Sequence, residues 1–75
     1  MRTLLSARTR GSRYTIYLIE NSDGSFRVQE CTHGKETAAA VRYDRIDARN
    51  EFFRRIENAK RFDGINYNVD SPTYF

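Results

Sequence analysis

The chain has one cysteine, Cys31, and one histidine, His33. A single cysteine excludes an internal disulfide framework and suits the reducing cytoplasm of a bacterial or phage-infected cell. One Cys and one His are too few for a soft-metal site within one chain. No apolar run exceeds four residues, so no segment is expected to cross a membrane. The basic N-terminal stretch lacks the apolar segment and cleavage pattern of a secretory leader. The four glycines are scattered, which leaves no glycine-rich loop to cradle a phosphate. Internal repeats and low-complexity segments are absent. No cofactor and no metal are expected.

What remains is a 75-residue chain, 39% apolar and 31% charged. This balance belongs to one soluble globular domain near the lower size limit for folding without a staple. Charge is unevenly placed. Residues 1–13 carry Arg2, Arg8, Arg10 and Arg13 and no acid, whereas residues 14–75 carry nine basic and ten acidic side chains. The positive excess therefore sits at the N-terminus, and the rest is close to neutral. Eleven of the thirteen cations are arginine, the side chain suited to planar, bidentate contacts.

Residues 1–12 read as a basic N-terminal arm or an edge strand, "RTLLSA", broken by Gly11. A strand from Ser12 or Arg13 to Asn21 follows from its β-branched and aromatic residues. In "NSDGS" the order Asn21, Asp23, Gly24 fits a type I turn followed by a glycine at φ > 0, a three-residue hairpin loop with a bulge. That register sets Leu18 opposite Val28, Ile16 opposite Glu30 and Glu20 opposite Phe26. A two-residue Asp-Gly loop is the rival and would shift every pair by one. In the first register one face carries Tyr14, Ile16, Leu18, Phe26 and Val28. The other carries Thr15, Tyr17, Ile19, Arg27, Gln29 and Cys31.

"THGKET" is a second turn, and "TAAAVRY" a third strand on which Ala39, Val41 and Tyr43 share a face. A helix starts near Asp44 to Asp47, with either aspartate able to cap it. Ala48, Phe52, Phe53, Ile56 and Ala59 form its apolar stripe, and Asp63-Gly64 ends it. "INYNV" can add a short last strand, and residues 64–75 form a C-terminal strand or tail in which Tyr74 and Phe75 stand out. The expected fold is α+β: a small antiparallel sheet of three to four strands in meander order, with one long helix from the C-terminal half on one face. Residues 13–63 form its β-β-β-α core.

Candidate chemistry is sparse. Cys31 and His33 lie two apart on a strand, but a turn is adjacent and nothing orients the pair, so they read as a sheet cysteine and a loop histidine. Asp44 with Asp47, and Asp47 with Glu51, read as helix caps and helix surface. No enzyme is expected. Arg2, Arg8, Arg10 and Arg13 are candidate contacts for nucleic-acid phosphates. Tyr17, Ile19 and Arg27, with Arg42 beside them, mix aromatic and cationic groups on the sheet's second face. That mixture serves protein recognition, in which tyrosine and arginine dominate, or base stacking.

The stretches "YTIYLIENSDGSFRVQE" and "AVRYDRIDARNEFFRRIENA" are a tyrosine-bearing hairpin, then a returning strand, an acidic turn and an aromatic helix. In this layout the chain resembles small phage-encoded inhibitors of the anti-CRISPR type. The resemblance implies a non-enzymatic inhibitor that docks on a CRISPR surveillance complex or nuclease and blocks DNA recognition. The leading expectation is thus a cytoplasmic protein-interaction module that uses Tyr17, Ile19, Arg27 and Arg42. A small basic-armed RNA- or DNA-binding protein and a homodimer joined through its outer faces are the alternatives.

Overall fold

The computed structural model describes residues 1–70. Strands β1 (Arg2–Arg8), β2 (Tyr14–Glu20), β3 (Phe26–Thr32) and β4 (Lys35–Arg42) precede helix α1 (Arg45–Asn58). One π-helical turn, Ala59–Asp63, continues α1, and strand β5 (Asn68–Asp70) closes the described chain. The sheet is antiparallel, with strand order β4-β3-β2-β1-β5. An α+β fold with one helix in the C-terminal half is therefore present, on five strands rather than three to four.

The β2–β3 hairpin adopts the register read from its turn: Leu18 faces Val28, Ile16 faces Glu30 and Glu20 faces Phe26. The Asn21 amide donates to the Ser25 carbonyl, Gly24 sits at φ 88°, and Asp23 accepts from both the amide and the hydroxyl of Ser25. Local side-chain bonds thus lock the loop that sorts every residue of both strands to a face. The next turn needs only His33 and Gly34, at φ 53° and 79°, the left-handed pair of a type I′ hairpin.

The largest departure from expectation is β1. It is neither an arm nor an edge but an interior strand between β2 and β5. Its register slips between Thr3 and Leu5, and the extra residue lets Leu4 and Leu5 both enter the core with Ala7. Alternation alone would have sent one of the two leucines to the opposite face.

Asp44 is the N-cap and accepts from the Asp47 amide. Gly64, at φ 69°, ends the π-helical turn. The helix solves a connection problem, because the chain leaves the sheet at the β4 edge and re-enters beyond β1. Fourteen helical residues span about 21 Å, and the five-stranded sheet is about 19 Å wide. Helix α1 contacts β2, β3 and β4 on the way. Phe52 and Ala48 are fully buried on Ile16, Leu18, Phe26 and Val28, as the stripe predicts. Phe53 and Ile56 are only half-buried at the margin of that core, and Arg49 lies 5.0 Å from the Phe53 ring centroid.

Candidate functional site

Strand registers divide the sheet into a helix-covered face and an open face. The helix-covered face carries the rows Ala40, Val28, Leu18, Leu5 and Ala38, Glu30, Ile16, Ala7, Val69. Three rows cross the open face. They are Val41, Arg27, Ile19, Thr3; then Ala39, Gln29, Tyr17, Ser6, Asp70; then Glu36, Cys31, Thr15, Arg8, Asn68. Tyr17, Ile19 and Arg27 are therefore neighbours on one surface. All three are half-buried by flanking side chains, while Val41 is 40% exposed. Ser6 and Cys31 are buried although the helix lies on the other side, and the Gln29 amide reaches the Cys31 sulfur at 3.4 Å.

Charge on this face is balanced. Its strands contribute the cations Arg8 and Arg27 and the anions Glu36 and Asp70, and Arg27 is ion-paired with Glu36. The guanidinium is thereby held along the sheet instead of projecting freely from it.

Arg42 does not join this group. It pairs with Phe26, so it points to the helix-covered face, where it reaches the Glu51 carboxylate at 3.2 Å. The expected placement of Arg42 beside Tyr17, Ile19 and Arg27 is corrected by the β3–β4 register, which slips after Glu30 and puts Val41 on the open face and Arg42 on the other.

Glu51 is a second correction. Expected on the helix surface, it is only 5% exposed and is held by Arg42, Arg54 and Arg55, with Arg55 also paired to Glu30 of β3. The signal was in the periodicity, since Ala48, Glu51, Phe52, Arg55 and Ala59 share a stripe at spacings of three and four. Three guanidiniums supply what burial of the carboxylate removes. A cleft of about 340 Å³ opens beside them, bordered by Asn58, Phe62 and Asp63. Both Glu30 and Glu51 point their oxygens at arginines there, so each serves as an anchor of the helix to the sheet.

Burial pushes the Glu51 pKa up, but the Arg54 hydrogen bond and the charges of Arg55, Arg54 and Arg42 outweigh it and leave it below the ordinary 4.5. A carboxyl with a lower pKa folded than unfolded contributes stability above its unfolded value and loses it as pH falls through its folded value. Stability is expected to drop as pH falls below about 4.5. In Glu51→Gln that part of the acid limb disappears, while Asp23, held low by Ser25, keeps its share in both proteins. Urea midpoints between about pH 3 and pH 7 check this, and parallel acid limbs in the two proteins would refute it.

The four N-terminal arginines are not one patch. Arg2 lies at one end of β1, opposite Glu20 and ion-paired with it at 3.1 Å. Arg8, Arg10 and Arg13 lie at the other end, about 20 Å away along the strand, and Arg13 sits over the Tyr14 ring at 5.3 Å. Tyr74 and Phe75 lie outside the described residues. Among the described residues, no cluster of three His, Cys, Asp or Glu side chains could hold a metal, and no helix is long and apolar enough to cross a membrane.

The chain matches no family model, no curated protein and no solved structure. Function must be read from the surface itself, and the open face offers an aromatic and aliphatic centre in a charge-balanced setting.

Proposed function

We propose that this chain is a non-enzymatic protein-interaction module that docks through its open sheet face. The observation behind this reading is the make-up of that face. Tyr17, Ile19 and Val41 lie among small and uncharged side chains, with two cations offset by two anions. Protein interfaces favour aromatic residues and arginine and deplete unpaired charge at their centre. Nucleic acid would call for a cationic excess, which the strands of this face do not supply. The resemblance of its sequence layout to anti-CRISPR inhibitors points to a bacterial CRISPR-type effector complex as the partner, blocked by occupation of its protein surface.

Retention of purified effector complexes on the immobilised protein tests the reading. Tyr17→Ala and Ile19→Ala are expected to weaken retention by about 30-fold each, the effect of a 2 kcal/mol hot spot. Retention that is unchanged in both variants, or absent for the unaltered protein, sinks it. Sedimentation equilibrium covers the remaining occupant. A mass twice the 8.8 kDa of one chain, returned to that of a single chain by Tyr17→Ala, would give the face to a second copy instead.

A further inference from the structure

Two turns that are far apart in sequence meet at one end of the sheet. The β1–β2 connection carries Arg8, Arg10 and Arg13, and the β3–β4 turn carries His33 and Lys35. They are joined where the His33 amide donates to the Arg13 carbonyl at 2.9 Å. All five side chains are exposed. On the rest of the sheet the arginines are neutralised: Arg2, Arg27 and Arg42 are all in ion pairs, as are Arg54 and Arg55 of the helix. Among the described residues, Arg8, Arg10, Arg13 and Lys35 are in none. No acid occurs before Glu20, Glu36 is engaged by Arg27 and Glu30 by Arg55, and Asp70 lies opposite Ser6, two residues along β1 from Arg8 and away from the turns.

We infer that this end of the sheet is a binding site for the phosphate backbone of nucleic acid, adjoining the open face at Arg8 but centred on the turns beyond it. Three of its four fixed cations are arginine, the side chain whose planar fork matches phosphate oxygens. The end is about 14 Å wide from β1 to β4, three strand spacings. Phosphates of one strand recur every 3.4 Å along a duplex axis, so about four fall within that width. The turn residues Thr9, Arg10, Gly11, Ser12, His33 and Gly34 include no large apolar side chain to insert into a bilayer, which disfavours an anionic membrane. The site reads no sequence, because phosphate contacts carry no base information. It would hold the protein near nucleic acid while the open face meets its partner.

Fluorescence anisotropy with a labelled random-sequence DNA duplex, across about 20 to 200 mM salt, tests the inference. The full chain is expected to bind at low salt, with log K falling against log salt at a slope near −3.6 for four neutralised phosphates. The triple variant Arg10→Gln, Arg13→Gln, Lys35→Gln is expected to lose at least tenfold in affinity and to show a slope near −1. Its far-UV circular dichroism should match the parent, because all three side chains are exposed. Tyr17→Ala should leave duplex binding intact, which separates this site from protein docking. Lack of binding at about 20 mM salt overturns the inference. So does a triple variant with unchanged affinity, or binding lost in Tyr17→Ala instead. Capture by phosphatidylserine vesicles with no binding to the duplex would assign the patch to membranes and overturn it equally.

Discussion

A chain lacking residues 1–10 is expected to be unfolded at room temperature. Deletion removes Leu4, Leu5 and Ala7 from the core and strips β5 of the strand it pairs with. It also leaves the whole ladder side of β2, from Thr15 to Glu20, unpaired. Each buried leucine is worth about 2–5 kcal/mol against alanine. A domain of this length has about 4–11 kcal/mol of stability in total, so losing two leucines and a strand consumes most or all of it. Far-UV circular dichroism and a urea titration measure the outcome. A cooperative transition with an unchanged midpoint would mean that residues 1–10 are an appendage after all. The same reasoning decides how the basic N-terminal stretch must be tested for function: its arginines have to be substituted and not deleted, because truncation destroys the sheet.

Phe52→Ala is the second large effect. Phe52 is the largest fully buried side chain and the point where α1 rests on the sheet. Its ring meets Phe53 edge-on at 5.2 Å and 87°, so truncation also removes an aromatic pair. Truncation is expected to cost about 3–5 kcal/mol, a large share of the whole. Phe53→Ala should cost distinctly less, since Phe53 is half-buried and its ring is partly covered by Arg49. Chemical denaturation of the two variants side by side provides the comparison, and equal losses would contradict the packing described. Only proteins that pass this stability check are useful for the docking and nucleic-acid measurements.

Much of this molecule was legible locally. The Asn-Ser-Asp-Gly-Ser loop sets its own register through bonds between Asn21, Asp23 and Ser25, and that register alone places Tyr17, Ile19 and Arg27 together. The helix announces itself by its stripe, its aspartate cap and its terminal glycine. Glu51 was half-legible: its spacing puts it on the buried stripe, but only the approach of Arg42 from β4 and of the Arg55–Glu30 pair explains how a carboxylate survives there.

Three features depend on contacts between distant segments. Nothing within residues 1–12 says that β1 is interior, because that status comes from β5, about sixty residues later, pairing with its far side. The face on which Arg42 lies depends on the register between β3 and β4, including the slip after Glu30. The cationic end exists because an antiparallel meander returns alternate turns to the same end of the sheet, bringing Arg10 and Arg13 beside His33 and Lys35. The sequence by itself determined the elements, the central hairpin register and the two-faced sheet, since these follow from side-chain periodicity and turn chemistry within a few residues. The tertiary structure alone decided which strand is central, which arginines are neutralised and which remain available. Long-range strand pairing and ion pairing are set by where the chain closes on itself, and no local pattern encodes that.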